Sequence, residues 1–231
     1  MEYVNPPDMS GSSHAVKMKY LMKLVPLIQH RGFGQLRIDA IVHAMDISKA
    51  TFYKHFTSKE DVISHLVDMV VRYFQQAVAL IDERTTPYEE RFQRIFEQSL
   101  LIATYLTEVF LHDLQQASPT LWEQIKQVQR ERQQHLETFF AQGVADGIFQ
   151  PIPRMLVVLQ DEVLLRKLLD PLFLMDHDLT LRGALEAYYA LQKYQWCVAE
   201  VREQMNDTDV KAYIATMAGK IALSMHVDMG R

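Results

Sequence analysis

The stretch Ile38–Asp39–Ala40–Ile41–Val42–His43–Ala44–Met45–Asp46–Ile47–Ser48–Lys49–Ala50–Thr51–Phe52–Tyr53–Lys54–His55–Phe56 decides the fold. Its apolar residues recur three and four apart, which predicts two short helices, Ile38 to Met45 and Lys49 to His55, joined by a three-residue turn over Asp46 to Ser48. Such a pair must share a very small core. Ile38, Ile41 and Met45 supply one wall, Ile47 plugs the turn, and Phe52 and Phe56, four apart, supply the other wall. Asp46 falls where the turn requires a positive φ, which Asp tolerates better than most residues other than Gly. The Ser48 hydroxyl is placed to cap the second helix. With the apolar groups inward, Lys49, Ala50, Thr51, Tyr53, Lys54 and His55 point outward. That face is cationic, hydrogen-bonding and compact enough at Ala50 to enter a DNA major groove.

Working outward, a first helix is expected from about His14 to His30, with Ser12 or Ser13 as its cap and Met18, Leu21, Leu24 or Val25, and Ile28 on one face. Pro26 should kink it or cut it short, and Gly32 and Gly34 end it. Before it, residues 1–13 hold Pro6, Pro7 and Gly11 with little to bury and read as a flexible tail. A helix from Ser58 to about Arg84 carries Glu60 and Asp61 in its first turn, suited to the positive end of the helix dipole. Helices are expected at about 88–106, 108–116, 119–145, 154–173, 180–204 and 208–226, with Gly147, Pro151 and Pro153 ending the third of these. The fold class is therefore all-α. The expected domains are the tail at 1–13, a helix-turn-helix domain at 14–60 and a larger helical body at 61–231.

The net charge of −5 is unevenly distributed. From His14 to Lys59 eight lysines and arginines face only Asp39 and Asp46, a balance of +6; residues 1–13 carry −2, and the remainder −9. A basic head on an acidic body is the pattern of a protein that touches nucleic acid with one end only. No uncharged apolar run is long enough for a membrane span, and no secretory signal is read, so a soluble cytoplasmic protein is expected. The lone cysteine, Cys197, excludes an intramolecular disulfide framework and reads as a small buried hydrophobe.

On these residues the chain resembles the TetR family of one-component bacterial regulators. Ile47–Ser48, Thr51–Phe52–Tyr53–Lys54–His55–Phe56 and Lys59–Glu60 match that family's pattern over about 30 residues. Val42 and Met45 stand where alanine is usual, Asp46 and Ala50 where glycine is usual, and Arg37 where a threonine commonly caps the second helix and touches phosphate. The resemblance implies phosphate contacts from Tyr53, His55 and Lys59, and base-edge or mixed contacts from Lys49, Ala50, Thr51 and Lys54. Arg37 and Ser48 complete the expected DNA-binding set. It also implies that the body binds a small-molecule effector and dimerises, the whole acting as a repressor on a palindromic double-stranded operator. A two-fold dimer is attractive physically as well, because one short recognition helix makes few contacts.

For an effector pocket the aromatic content of the body suggests Tyr105, Phe110, His112, Trp122, Phe139, Tyr188 and Tyr189, with Phe140 and Trp196 nearby, enclosing a few hundred cubic ångströms. Asp161, Glu162 and Arg166 form either a ligand-orienting group or an exposed intrahelical pair. Asp176–His177–Asp178 is read not as a metal site but with Asp178 capping the next helix. No phosphate loop, nucleophile elbow or zinc-protease motif occurs, so no enzyme, metal or cofactor is expected. Two other classes stay open: a DNA-bound regulator whose body recruits a protein, and a helical enzyme or carrier with an incidental helix pair.

Overall fold

Two residues set the decisive turn. Asp46 adopts φ 58° and ψ 52°, the left-handed conformation expected of it, and Ile47 N–H closes onto Val42 O at 3.1 Å. Ser48 then caps the following helix, its Oγ accepting from Thr51 N–H at 3.1 Å. The computed structural model describes residues 12–229, and at 12–14, 154, 157 and 223–229 the backbone alone. Its helices are α1 (Ser12–Arg31), α2 (Ile38–Met45), α3 (Lys49–His55), α4 (Lys59–Ile81), α5 (Tyr88–Tyr105), α6 (Glu108–Ala117), α7 (Pro119–Ala145), α8 (Arg154–Leu168), α9 (Pro171–Asp176), α10 (Leu181–Trp196), α11 (Ala199–Gln204) and α12 (Thr208–Met229). The architecture is all-α. Among the described residues the only β-like feature is an isolated antiparallel bridge between Phe149 and Cys197. The tail expected at 1–13 lies outside the described residues, apart from Ser12 and Ser13, which already belong to α1.

Four expectations need correction. Pro26 does not cut α1 short: the helix runs to Arg31, because burial of Leu21, Leu24, Val25 and Ile28 offsets the one missing N–H. The helix expected at 154–173 is broken. Pro171 restricts Asp170 to extended backbone, and the Asp170 carboxylate caps α9 by accepting from Leu172 N–H at 3.0 Å. The helix expected at 180–204 is also broken, because backbone pairing pulls residues 197 and 198 out of it: Gln150 N–H donates to Trp196 O at 2.7 Å and Val198 N–H to Ile148 O at 3.1 Å. Finally, Asp178 does not cap α10. It has φ 52°, two residues past the end of α9, and Thr180 is the cap, accepting from Gly183 N–H at 3.1 Å.

Packing groups the chain into two units: the described part of Met1–Gln76 with Tyr105–Gln129, and Ala77–Thr104 with Arg130–Arg231. This division differs in kind from the linear one read along the sequence, since α6 packs on α1 and so joins the first unit. The first unit is built on Leu21, Leu24, Ile41, Met45, Phe52 and Phe56, all essentially fully buried.

In the second unit the aromatic rings form the core themselves. Phe140 stacks on Trp196 at 3.9 Å, Phe96 meets Tyr189 edge-on at 5.1 Å, and Phe149 fills the space beside Gly143, where a Cβ would overlap its ring. Arg91 is buried here. Its Nε donates to Ile81 O at 3.0 Å and its guanidinium lies 4.6 Å from the Phe139 ring centre, so it closes the carbonyl end of α4.

Half-buried Glu97 makes this unit sensitive to pH. Burial, aided by the charge of Asp209 and opposed by Arg94, pushes its carboxyl from the usual 4.5 up to about 7. The folded state therefore keeps a proton that the unfolded chain releases between those values, and stability falls as pH rises through that window. After allowance for solvent contact the loss is about 1–2 kcal/mol. Glu97→Gln should flatten this slope, leaving the variant more stable than wild type at pH 8 but not at pH 4. Urea denaturation at both values measures it, and parallel curves for the two proteins would refute the assignment.

Candidate nucleic-acid interface

Phe52 and Phe56 anchor α3. Both rings are buried, with centroids 5.6 Å apart, and α3 packs on α2, whose Ile41, Val42 and Met45 are buried too. Ile38 and Ile47 are only half-buried. This anchoring turns Lys49, Ala50, Tyr53 and Lys54 to solvent, while Thr51 and His55 are half-buried. Tyr53 rests its ring edge-on against Phe52 at 5.3 Å yet is 56% exposed. The Thr51 hydroxyl is within 3.0 Å of Ser48 Oγ, so these two side chains hold the helix start as well as facing outward. His55 meets the Tyr20 ring of α1 at 5.5 Å. Arg37 is exposed; its carbonyl, not its side chain, opens α2 by accepting from Ala40 and Ile41 N–H.

The cations differ in how free they are. Lys49 Nζ lies 2.6 Å from Asp39 Oδ1, and Lys23 Nζ 3.0 Å from Asp46 Oδ2, where the lysine holds the Asp46 carboxyl below its usual range. Lys59 is directed inward along the surface. Its ammonium donates to Gly34 O at 3.1 Å and Phe33 O at 3.4 Å.

The same two residues are held from the other side by Asp113 of α6, whose Oδ2 accepts from Phe33 N–H at 2.6 Å and Gly34 N–H at 2.7 Å. Phe33 packs its ring on Phe110 at 5.7 Å, and Gly32, at φ 68°, leaves no space for a Cβ beside Asp113 and Val109. Asp113 thus fixes the loop entering α2. The sequence offered no local sign of this, since the partners are about eighty residues apart.

The pocket residues named from sequence divide between the two units. Tyr105, Phe110, His112 and Trp122 belong to the first unit, and Phe139, Tyr188 and Tyr189 to the second. Phe110 is core, His112 is exposed, and Trp122 carries Lys126 over its ring at 5.8 Å. A cavity of about 20 Å³ in the second unit is lined by Phe140, Trp196 and Asp161, all named from sequence, together with Phe92, Phe96 and Gln192 among others. That is room for about one water molecule.

Asp161 accepts from Gln192 Nε2 at 2.6 Å and from Tyr188 OH at 3.0 Å. Burial raises its pKa, against hydrogen bonds from Ser99, Tyr188 and Gln192 and the charge of Arg132. Glu162 and Arg166 form the intrahelical pair foreseen, at 2.8 Å. Burial pushes the Cys197 thiol up to about 12. Among the described residues no cluster suited to a metal ion occurs, and no helix is long and apolar enough to cross a membrane.

Residues 25–66 match the family model for bacterial regulatory proteins of the tetR family. No curated protein sequence matches the chain. Solved structures share its fold. A transcriptional regulator from Saccharomonospora viridis in complex with choline aligns with TM-score 0.58 at 17% identity, over 80% of this chain and 99% of its own. A TetR transcriptional regulator from Chloroflexus aurantiacus gives 0.56 at 15%, over 81% and 98%. The fatty acid degradation regulator FadR from Bacillus halodurans gives 0.55 at 19%, over 80% and 96%.

Proposed function

We propose that the chain is a cytoplasmic, sequence-specific transcriptional regulator, a reading supported by the match of residues 25–66 to the family model for bacterial regulatory proteins of the tetR family. It docks α3 in the major groove of a palindromic operator as a two-fold dimer, acts as a repressor, and is released by a small-molecule effector. The observation that carries this reading is the outward face of α3, with Lys49, Ala50, Tyr53 and Lys54 exposed on a helix locked from behind by Phe52 and Phe56. Lys49, Ala50, Thr51 and Lys54 address base edges. Tyr53 and His55, flanked by Arg37 and Ser48, address phosphates. Lys59 acts first by holding the Phe33–Gly34 carbonyls and reaches phosphate only from that position. No catalytic role is proposed.

The effector is proposed to enter the second unit where Asp161 and Gln192 meet the aromatic walls, which must part to admit anything larger than water. A second copy of the chain is proposed to cover the adjoining faces of α8 and α10. These helices pack on each other, yet Leu156, Leu159, Val163, Leu191 and Tyr194 stay exposed, Val163 at 66% and Tyr194 at 64%. Large apolar side chains left exposed on two packed helices favour association.

Val163→Glu is expected to leave a 26.9 kDa monomer at micromolar concentration, where wild type sediments at twice that mass. Its affinity for a duplex selected from a randomised library should fall by about 100-fold, because each half-site is then bound alone. A monomeric wild type would refute the dimer, and a wild type that retains no duplex would refute the regulator.

A further inference from the structure

Both carboxylates of the segment His14–Lys59 are engaged by lysines, Asp46 by Lys23 and Asp39 by Lys49. The two pairs differ in what they restrain. Lys23 belongs to α1, whereas Lys49 is the first residue of α3 and Asp39 lies in the first turn of α2. Lys54, also exposed on α3, has no ion pair among the described residues. The Lys49–Asp39 pair is solvated, with the side chains 59% and 72% exposed, so it adds little to stability and is exchangeable. The hydrogen bond that Lys49 donates to the Asp39 carboxylate raises the Lys49 pKa.

We propose that Asp39 is a specificity-determining residue, which holds the Lys49 ammonium as an internal substitute for phosphate and so reserves it for base edges. The inference rests on the reading of α3 as the DNA-recognition helix. An ammonium has three donors, and Asp39 uses one. Guanine O6 and N7 are uncharged acceptors that the other two reach without breaking the pair. Capture of Lys49 by a phosphate instead exchanges one anion for another and leaves the Asp39 carboxylate bare beside the DNA backbone. Arbitrary DNA offers mainly phosphates, so the pair weakens non-specific binding more than binding to the operator.

The test uses the full-length protein, a duplex recovered by selection from a randomised library, and a scrambled duplex of the same composition, each titrated at several salt concentrations. Asp39→Asn should bind the scrambled duplex about tenfold more tightly with little change on the selected one. The slope of log K against log salt on the scrambled duplex should steepen by about 1 per subunit, one further counterion being released. In a Lys49→Gln background the same substitution should gain much less, because only the relief of a bare carboxylate near the phosphates remains.

An equal gain on both duplexes, a gain undiminished without Lys49, or no gain at all would overturn the proposal. These failures are separable from failure of the underlying reading. In them wild type still discriminates between the duplexes, whereas a wild type that binds neither refutes α3 as a recognition helix and Asp39's role with it.

Discussion

Phe52→Ala is expected to abolish binding to every duplex and to lower the stability of the first unit by about 3–5 kcal/mol, the cost of removing a fully buried ring from a core that cannot collapse around the gap. The ring is fully buried, touches Phe56 and Tyr53, and lies on the inner face of the helix whose outer face carries Lys49 and Lys54. A seven-residue helix has almost no stability alone, so its orientation depends on this packing. Phe52→Leu, which keeps most of the apolar contact, should lose much less and retain binding. Urea denaturation followed by circular dichroism, with binding isotherms on the same samples, separates the cases. An alanine variant that unfolds and binds like wild type would show that α3 is held by something other than this core.

Asp113→Ala should have the second-largest effect, about 2–3 kcal/mol. It removes one carboxylate oxygen that accepts two backbone N–H groups at 2.6 and 2.7 Å. Charge-assisted hydrogen bonds of this kind contribute about 1.5–3 kcal/mol each when shielded, less where the loop is open to water as at Gly34. Without that acceptor, Lys59 holds the loop carbonyls alone and the entry to α2 loosens. Amide exchange at Phe33 and Gly34 should accelerate by about 30-fold, the equivalent of 2 kcal/mol of local opening. Asp113→Asn keeps an acceptor oxygen and should fall between. Unchanged exchange at those two amides would mean that α6 packing, including Phe110 against Phe33, holds the loop without the carboxylate.

Legibility tracked the range of the interactions. The turn at Asp46, the Ser48 cap, the inward Phe52 and Phe56 and the outward Lys49 and Lys54 all depend on neighbours within about four residues, and periodicity and capping chemistry encode them directly. The pairing of Lys49 with Asp39 and the retention of Lys59 by the Phe33 and Gly34 carbonyls join elements ten to twenty-six residues apart. A list of outward cations does not contain them. The same limit explains the body. Aromatic residues spaced for a helix face read alike whether they enclose a ligand or one another, and here Phe139, Tyr188 and Tyr189 are packed as core.

Sequence by itself determined that the fold is all-α, where α3 begins and ends, and that Lys49, Ala50, Tyr53 and Lys54 face outward, because each follows from side-chain volume, charge and backbone preference along short segments. Tertiary structure alone decided how the rest is arranged. It placed Asp113 of α6 beneath the loop that enters α2, and drew residues 197 and 198 out of a helix to pair with 148–150. It also gathered Asp161, Tyr188 and Gln192 from two helices into one partly buried network. Each of these satisfies a polar group with a partner distant in the chain, and such partners are chosen by the packing of whole helices rather than by any local run of residues.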